Sequence, residues 1–548
     1  MEELTVRLLD RQFARFLVKH SLLSALENTI LQELLCKLSA SLASGDSCLL
    51  LSSAELDLVQ RSGLSGEQLP LFIFNGHLYL QRIFQYEKRL AAKICRLAAD
   101  ATVLHAEHFF IEKLFAGQGK DDLQRVAAEQ ALKKKFLIIS GGPGTGKTTT
   151  VVKILALLQH ASSEKLRISL AAPTGKAAMR LRESIQGSIR SLPISDEEKA
   201  TLPVTAFTLH RLLGVKRHTP FFRHSEANPL ACNVLVVDEA SMVDISLMSK
   251  LLDALPPGCR LILLGDKNQL VSVEFGTVLA DMMVALPGNT VELKKSYRFD
   301  QGIKQFAEAI NEGNRKEAWE IVSGSQPEHI ALLHEDTATY GGIRYLQYME
   351  AVSKANDITA YKQLFPLLHS FKILCAVRQG ASGVAGINSK VEQYLTANGH
   401  DCLTDEWYCG RPIMLGKNEY GLELYNGDIG ICLPDPARPE SLKVWFEKGD
   451  GDLLGILPGR LGSCETVYAL TIHKSQGTEV DDVLVVLPEK ETALVTRELL
   501  YTAVTRARKR VRVAANKAVF QLAVATRIKR SSGLAKLIRL VCSEISSE

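Results

Sequence analysis

The sequence lacks paired cysteines, a basic leader and long apolar runs. Its eleven cysteines are spread singly from Cys36 to Cys542, with no C-x-x-C pair, which argues against a zinc or iron–sulfur site and predicts reduced thiols. The opening residues, Met1-Glu-Glu-Leu-Thr, are acidic and do not resemble a secretory signal. The longest apolar runs have strand length and are too short to span a membrane. A cytoplasmic protein is therefore expected.

A strong excess of one charge is also missing. The chain has 65 Lys and Arg against 61 Asp and Glu, a net charge of +4. A polyanion such as nucleic acid would therefore need a local basic groove. At 548 residues the chain is too long for one hydrophobic core, so several domains are expected.

Hydrophobic patterning divides the chain into four predicted units. Residues 1–115 are mainly helical in spacing, with a β-hairpin predicted around Asn75-Gly76. Residues 116–295 alternate apolar strands with helices, which predicts a parallel sheet with crossover helices. A second alternating unit comprises 296–404 and 466–548, and short β-like runs predict a small inserted β-domain at 405–465. The strands predicted for the first sheet are 136–140, 168–172, 234–237 and 261–264.

The strongest motif is Gly141-Gly-Pro-Gly-Thr-Gly-Lys-Thr148, which follows an apolar strand and precedes a helix. This is the phosphate loop G-x-x-x-x-G-K-[ST] in its required setting. Lys147 would reach the β- and γ-phosphates, and the Thr148 hydroxyl would ligate Mg²⁺. The sequence therefore predicts a nucleoside triphosphate site. Its loop residues are Gly141, Gly142, Pro143, Gly144, Thr145, Gly146, Lys147, Thr148 and Thr149.

Acidic, amide and arginine side chains complete a hydrolytic site. Asp238 and Glu239 end an apolar strand, where Asp238 could hold Mg²⁺ and Glu239 could accept a proton from the attacking water. Gln269 follows the next strand and could sense the γ-phosphate without adding charge. Arg298 and Arg506 could each neutralise charge that develops on the transferred phosphoryl group.

Nine sequence blocks in a fixed order make residues 120–515 resemble a superfamily-1 DNA helicase of the RecD type. The blocks are Gln124-Arg-Val-Ala-Ala, Gly141 to Thr148, Ala172-Pro-Thr-Gly-Lys-Ala-Ala, Phe207-Thr-Leu-His-Arg-Leu-Leu-Gly, Asp238-Glu-Ala-Ser, Gly265-Asp-Lys-Asn-Gln-Leu, Ser296-Tyr-Arg, Thr471-Ile-His-Lys-Ser-Gln-Gly-Thr-Glu and Tyr501-Thr-Ala-Val-Thr-Arg-Ala. The resemblance implies an α/β fold with two RecA-like P-loop motor domains and parallel sheets, a mainly helical N-terminal domain and a small inserted β-barrel-like domain. ATP and Mg²⁺ would bind between the motor domains.

The resemblance also implies roles for individual residues. Gln124 would read the adenine edge, Tyr297 would stack on adenine, and Glu479, near Gly477, would meet the ribose. Arg298 and Arg506 would come from the second motor domain. Single-stranded DNA would cross the tops of both domains and contact Pro173, Thr174, Lys176, Thr208, His210, Thr471, His473 and Lys474.

A basic and aromatic segment within residues 215–232 resembles the small hairpin that this branch places where strands part. An ordinary exposed loop is the alternative. Two kinds of RecD-like helicase are to be distinguished, the RecD subunit of RecBCD (exodeoxyribonuclease V) and the free-standing helicases. Segment 78–91 resembles the pre-motor region of the RecD subunit and favours it, although Phe84 stands where a tryptophan is expected. Free-standing RecD-like helicases carry a longer N-terminal region.

The subunit assignment implies 5′ to 3′ movement on DNA beside RecB-like and RecC-like partners in double-strand break repair and recombination, with the N-terminal domain binding a partner. No separate nuclease constellation is recognisable, so the nuclease centre is expected in another subunit. Residues 325–370 are not assignable from motifs. The alternatives left open are a free-standing DNA helicase, an RNA helicase of the same superfamily, and a regulatory nucleotide-binding subunit with weak motor activity.

Overall fold

The computed structural model describes residues 6–100, 103–117, 119, 121–216, 218–270, 275–295, 301–324, 328–422, 424–448 and 451–547. These residues form a three-stranded sheet, a six-stranded sheet and two five-stranded sheets. No helix in the described ranges is both long and apolar enough to cross a bilayer.

The chain begins with a small, mainly helical unit, as predicted. Leucines of its second helix recur at helical spacing and form much of the core. The predicted hairpin is present: Asn75 and Gly76 have φ of 48° and 75°, the left-handed values that a two-residue turn requires. The elements are α1 (Leu8–Val18), α2 (Ala25–Ala43), β1 (Leu49–Leu50), α3 (Ser53–Arg61), β2 (Leu71–Phe74), β3 (His77–Leu80), α4 (Gln81–Ala99) and α5 (His108–Leu114).

The first α/β domain is built on the six-stranded sheet, in which all strands are parallel and the order is β6-β5-β7-β8-β4-β9. Its elements are α6 (Leu123–Lys133), β4 (Phe136–Gly141), α7 (Lys147–His160), β5 (Ile168–Ala172), α8 (Gly175–Arg190), α9 (Asp196–Ala200), β6 (Ala206–Thr208), α10 (Leu209–Leu213), β7 (Val234–Val237), α11 (Ile245–Asp253), β8 (Arg260–Gly265), α12 (Val278–Ala285) and β9 (Thr290–Leu293). The four predicted strands are confirmed.

Both faces of this sheet are covered by helices. Successive side chains of a strand point to opposite faces, so Phe136 and Ile138 pack toward α4 and α11, while Leu137 and Ile139 pack toward α6, α7 and α8. Helix α4 therefore covers the first α/β domain as well as joining the N-terminal unit to it.

The second α/β domain contains a parallel five-stranded sheet in the order β10-β19-β18-β11-β17. The elements up to the inserted domain are α13 (Gln301–Glu312), α14 (Arg315–Ser323), β10 (Ile330–Leu332), α15 (Thr337–Lys354), α16 (Ile358–Ser370), β11 (Phe371–Cys375) and α17 (Val384–Ala397). Residues 325–370, which no motif assigned, thus mostly form the edge strand β10 and the helices α15 and α16, which pack on the sheet.

A small β-domain interrupts the second α/β domain, as predicted. Its antiparallel sheet has the order β15-β14-β13-β12-β16 and encloses a core around Ile413, Cys432 and Val444. The remaining elements of the chain are β12 (Pro412–Leu415), β13 (Ile429–Asp435), β14 (Arg438–Glu447), β15 (Leu453–Ile456), β16 (Cys464–Thr466), β17 (Ala469–Thr471), β18 (Val480–Val486), α18 (Arg497–Val504), β19 (Ala507–Ala514), α19 (Lys517–Ala525) and α20 (Leu534–Ser547). Short 3-10 helices lie at Ala240–Met242, Pro287–Asn289, Tyr420–Leu422, Pro458–Arg460 and His473–Ser475.

The last helix leaves the second α/β domain. Helix α20 packs against α4 and α12, although the predicted second domain included it. This packing brings Cys95 and Cys542 together in a disulfide with Cα atoms 5.3 Å apart. The prediction that all thiols are reduced is wrong for this pair, because sequence spacing does not show which distant helices lie side by side.

Candidate functional site

A cavity of about 790 Å³ lies between the two α/β domains. The first domain contributes the phosphate loop and the ends of β7 and β8, and the second contributes residues after β17 and at the start of β19. The cavity brings together these predicted site residues: Gln124, Pro143, Gly144, Gly146, Lys147, Thr148, Thr149, Asp238, Glu239, Gln269, Gly477, Glu479 and Arg506. The predicted loop residues Gly141, Gly142 and Thr145 are not among its lining residues.

The phosphate loop turns tightly at Gly146, immediately before α7. Its φ is 82°, and a Cβ atom there would lie 2.5 Å from the Gln124 amide nitrogen. Glycine alone satisfies both the left-handed conformation and this close approach. The Gln124 amide donates a hydrogen bond to the Thr145 carbonyl at 3.3 Å. Gln124 therefore lies against the loop, and its predicted contact with the adenine edge stays a prediction.

Lys147 occupies the first turn of α7 with its ammonium directed back into the loop. Its Nζ donates to the carbonyl oxygens of Gly141 at 2.6 Å and Gly142 at 3.2 Å. The N-terminal end of α7 and the loop N–H groups add partial positive charge at the same place. The loop can therefore bind a polyphosphate.

Two adjacent acids face the loop from the end of β7. Burial, and next the charge of Glu239, raise the pKa of Asp238 to about 6, while Lys147 opposes the shift. Glu239 has a φ of 49°, a left-handed conformation that is costly for a residue with a side chain. Such strain is typical of functional positions, because the surrounding fold must hold it in place.

Arg506 enters the cavity from the second α/β domain. Its side chain is only 2% exposed, and burial lowers its pKa while the charge of Glu239 raises it. Nε donates to the Thr502 carbonyl at 3.1 Å and Nη1 to the Thr478 carbonyl at 3.3 Å. Nη2 has no hydrogen-bond partner among the described residues. The guanidinium is thus held by backbone, with one donor group left for a ligand.

The loop after β8 is bonded to helix α18 of the other α/β domain. The Asp266 carboxylate accepts hydrogen bonds from Tyr501 at 3.1 Å and from the Gln269 amide at 3.3 Å. The Leu270 N–H donates to the Thr502 hydroxyl at 3.0 Å. Gln269 is therefore anchored to the helix that leads to Arg506.

Glu479 is held by two arginines. It forms ion pairs with Arg180 of α8 and, at 3.5 Å, with Arg508 of β19. The first of these pairs crosses the cleft between the domains. These ion pairs do not test the predicted contact of Glu479 with the ribose, which stays a prediction. The other predicted partners of the nucleotide, Tyr297 and Arg298, lie outside the described residues.

The predicted DNA contacts follow the carboxyl ends of β5, β6 and β17. Three hydroxyls among them accept N–H groups three residues ahead: Thr174 from Ala177, Thr208 from Arg211 and Thr471 from Lys474. Pro173 directly precedes Thr174, and Lys176 lies half-buried in the first turn of α8.

The two predicted histidines are exposed, and His210 lies edge-on to Phe222 at 5.7 Å. The Lys474 ammonium pairs with Glu465 of the inserted domain, so a DNA phosphate would have to compete for it. Segment 215–232 carries isolated antiparallel bridges between Val215 and Phe222 and between Ser225 and Asn228. Its structure is a short hairpin-like loop, of which Arg217 lies outside the described residues.

Three side chains important to the cleft were absent from the predicted site: Arg180, Asp266 and Tyr501. Asp266 and Tyr501 stand inside recognised blocks, three residues before Gln269 and five before Arg506. Arg180 lies one helical turn after Lys176, so helical spacing could have placed both on one face.

Two family models match the chain. One, described as an AAA domain, matches residues 124–274, and the other, described as a UvrD-like helicase C-terminal domain, matches residues 466–514. A solved Pif1 helicase from Bacteroides in complex with ADP-AlF3 and ssDNA is 16% identical, with a TM-score of 0.42 over 78% of this chain and 97% of that chain.

Relatives match more of the chain. It is 39% identical to the RecBCD enzyme subunit RecD of Mycolicibacterium smegmatis over 492 residues, which are 89% of this chain and 86% of the relative. The chain belongs to the RecD family. The RecD subunit of Haemophilus influenzae is 35% identical over 83% of this chain and 78% of its own length. The ATP-dependent RecD2 DNA helicase of Deinococcus radiodurans is 31% identical, but the chain covers only 62% of it. The prediction of a RecD-type DNA helicase with an α/β fold is confirmed.

Proposed function

We propose that this RecD-family chain is an ATP-driven helicase that moves 5′ to 3′ along one DNA strand. It acts as the motor subunit of a cytoplasmic RecBCD-type helicase–nuclease in double-strand break repair and recombination. In this proposal residues 116–295 are the first motor domain, 296–404 and 466–548 the second apart from α20, which packs on the first, 405–465 an inserted β-domain, and 1–115 a partner-binding domain.

The observation that carries the proposal is the division of the nucleotide cavity between two domains. Lys147 and Glu239 come from one side and Arg506 from the other, so the complete charge arrangement exists only when the domains approach. The free donor group of Arg506 can then stabilise negative charge on the transferred phosphoryl group. Hydrolysis removes the group that Arg506 binds, which allows the domains to separate.

The residues present suit ATP with Mg²⁺. The Thr148 hydroxyl and the Asp238 carboxylate offer the oxygen ligands that Mg²⁺ prefers, and a cation would compensate the cost of ionising buried Asp238. The metal would supply neutralisation of phosphate charge. Glu239 would accept a proton from the attacking water, and Gln269 would sense the γ-phosphate. Arg298 and Tyr297 are proposed to assist from the second domain.

Two motor domains that open and close can move along DNA if each domain binds the strand tightly in turn while the other binds it weakly. We assign the strand path to the hydroxyl, imidazole and ammonium groups that follow β5, β6 and β17. Such groups contact phosphates without reading sequence. Each cycle of the cleft would shift one set of contacts relative to the other, so the strand advances. The direction of movement is proposed from the family.

The N-terminal unit offers a surface for another subunit. Large apolar side chains of α1, α2 and their connection are strongly exposed: Leu8 74%, Leu9 68%, Phe16 61%, Leu22 82%, Leu26 76% and Ile30 51%. Large exposed apolar side chains that are concentrated on one unit are typical of a protein interface. We therefore propose that it binds a RecC-like subunit, with a RecB-like motor in the same complex.

The proposal is tested with partial DNA duplexes and the purified chain, alone and with its co-purifying partners. A 5′ single-stranded tail should support unwinding and a 3′ tail should not. Lys147→Gln should abolish ATP hydrolysis without changing the circular dichroism spectrum, because the phosphate ligand is lost. Unwinding only from 3′ tails would contradict the direction, and full hydrolysis by Lys147→Gln would contradict the site. Equal stimulation of ATP hydrolysis by RNA would favour the RNA helicase alternative.

A further inference from the structure

A second cavity adjoins the nucleotide cavity. It has a volume of about 260 Å³ and lies between α8, β11 and the inserted β-domain. The two cavities share six lining residues, Arg180, Glu183, Gly477, Glu479, Arg506 and Arg508. A small ion that leaves the nucleotide cavity past Arg506 therefore has this second cavity as its neighbour.

Two lysines that form no ion pair with a described carboxylate line this second cavity. Lys372 lies on β11, is only 4% exposed, and donates one long hydrogen bond of 3.4 Å to the Val467 carbonyl. Lys176, on the facing helix α8, is half-buried. Burial lowers the pKa of both ammonium groups, and for Lys372, whose pKa falls to about 7, the charge of Lys176 adds to the shift.

The carboxylate of Asp428 partly compensates the charge of Lys176, whereas no described carboxylate compensates Lys372. A buried lysine without a counter-ion is rare, because an ammonium group loses its hydration when it leaves water. Three arginines also line the cavity. Arg180 and Arg508 pair with Glu479, whereas Nη2 of Arg506 has no partner among the described residues. Lys372 lies in no recognised motif, and neither the nucleotide cavity nor the predicted DNA contacts include it. The excess of unmatched donors is what an anion would compensate.

We propose that this cavity is a binding site for inorganic phosphate, held by Lys372 and Arg506. The proposal rests on the proposed ATP hydrolysis only for the source of the phosphate, which would be the product that leaves the neighbouring site. The cavity is large enough for one such ion.

The acidic members of the cavity select among anions. Glu183 and Glu447 line it and are more exposed than Lys372. Phosphate near neutral pH carries a proton that a carboxylate can accept in a hydrogen bond, whereas sulfate and a DNA phosphodiester carry none and would be repelled. The site should therefore prefer phosphate to sulfate and to a DNA backbone.

The test measures binding of sodium phosphate and sodium sulfate to the full chain by titration calorimetry, without ATP and at constant ionic strength. Lys372→Met removes the charge and keeps the length of the side chain. Lys354→Met, at an exposed position of the same α/β domain, is the matched control. Phosphate should bind the wild type and the control alike, and about tenfold more weakly the Lys372→Met variant, as expected for one lost charge-assisted hydrogen bond.

A second variant keeps the test decisive if Lys372→Met does not fold. Glu447→Gln should reduce the preference for phosphate over sulfate, because the amide can donate to either anion. The proposal would be overturned if the wild type bound no phosphate, or if it and Lys372→Met bound phosphate equally well. It would also be overturned if Lys372→Met lost affinity for single-stranded DNA but kept its affinity for phosphate. Wild-type ATP hydrolysis is measured in parallel, since its absence would contradict the motor function and leave phosphate binding unaffected.

Discussion

The hydroxyl of Tyr501 donates a hydrogen bond of 3.1 Å to the carboxylate of Asp266, across the boundary between the two α/β domains. Both side chains are buried, and burial raises the pKa of Asp266. Asp266 also holds the amide of Gln269, and Tyr501 lies on the helix that leads to Arg506. The Tyr501–Asp266 hydrogen bond thus connects Gln269, the proposed γ-phosphate sensor of one domain, with the helix that leads to Arg506, the proposed phosphate ligand of the other domain.

Tyr501→Phe should lower the kcat of DNA-stimulated ATP hydrolysis by about fivefold and change the KM for ATP little. The lost hydrogen bond is worth roughly 1 kcal/mol, and it positions Gln269 and Arg506 for the transition state without contacting the substrate. Steady-state kinetics at saturating single-stranded DNA measures the effect.

Tyr348→Phe is the matched control for Tyr501→Phe. Its hydroxyl is equally enclosed and donates to the Gly410 carbonyl at 2.8 Å, far from the cleft. This variant should lose stability and keep its kcat. A kcat that falls equally in both variants would mean that Tyr501 acts only through stability.

Glu239→Gln should lower kcat by about 10²- to 10⁴-fold while ATP still binds. The amide cannot accept the proton of the attacking water, but it keeps the size and the left-handed backbone of the original residue. Binding of a fluorescent ATP analogue and turnover are measured separately. Glu197→Gln, at an exposed position of α9, should leave both unchanged. If Glu239→Gln retained wild-type turnover, another group would have to be the base.

Leu26→Asp combined with Ile30→Asp should prevent co-purification of the partner subunits. The two positions are one helical turn apart on α2, so both charges would be buried in the proposed interface. ATP hydrolysis by the isolated chain should not change. Leu367→Asp, a similarly exposed leucine on α16, should leave the complex intact. Retention of both partners by the Leu26/Ile30 variant would place the interface elsewhere.

Glu87 should make stability depend on pH. It is fully buried on α4, and burial raises its pKa from 4.5 to about 7 although the Ser47 hydroxyl donates to it at 2.6 Å. The native state therefore binds this proton more tightly than the unfolded chain. The contribution of Glu87 to stability is most favourable below pH 4.5 and declines up to about pH 7, by roughly 3 kcal/mol in total.

Glu87→Gln should raise the melting temperature more at pH 8 than at pH 5.5, because the amide needs no proton to stay neutral. Glu440→Gln, at an exposed position, should show no such difference. An equal change of melting temperature at both pH values would mean that folding does not raise the pKa of Glu87.

Much of the fold and of the nucleotide site followed from local sequence. Mostly apolar runs predicted β5 and β7 to the residue, because strands covered on both faces of a parallel sheet need no regular polar alternation. The phosphate loop and the acids after β7 were predicted because their chemistry depends on a short, local spacing. The structure brings Lys147, Glu239 and Arg506 to one cavity, and their individual roles stay predictions.

Contacts between distant segments were not predictable in the same way. The pairs Tyr501–Asp266 and Arg180–Glu479 each join residues more than 200 positions apart, and no periodicity links them. An amphipathic helix such as α20 has an apolar face, but that face does not specify which sheet it covers. The disulfide between Cys95 and Cys542 follows from this placement.

The placement of α20 also has a mechanical consequence. The chain leaves the first α/β domain after β9 and returns to it with α20, so the second domain is connected to the first at two points instead of one. A body attached at one point can swing and twist freely, whereas a body attached at two points turns mainly about the line between them. In the proposed opening and closing of the cleft, the second connection would limit the relative motion of the domains mainly to rotation about that line.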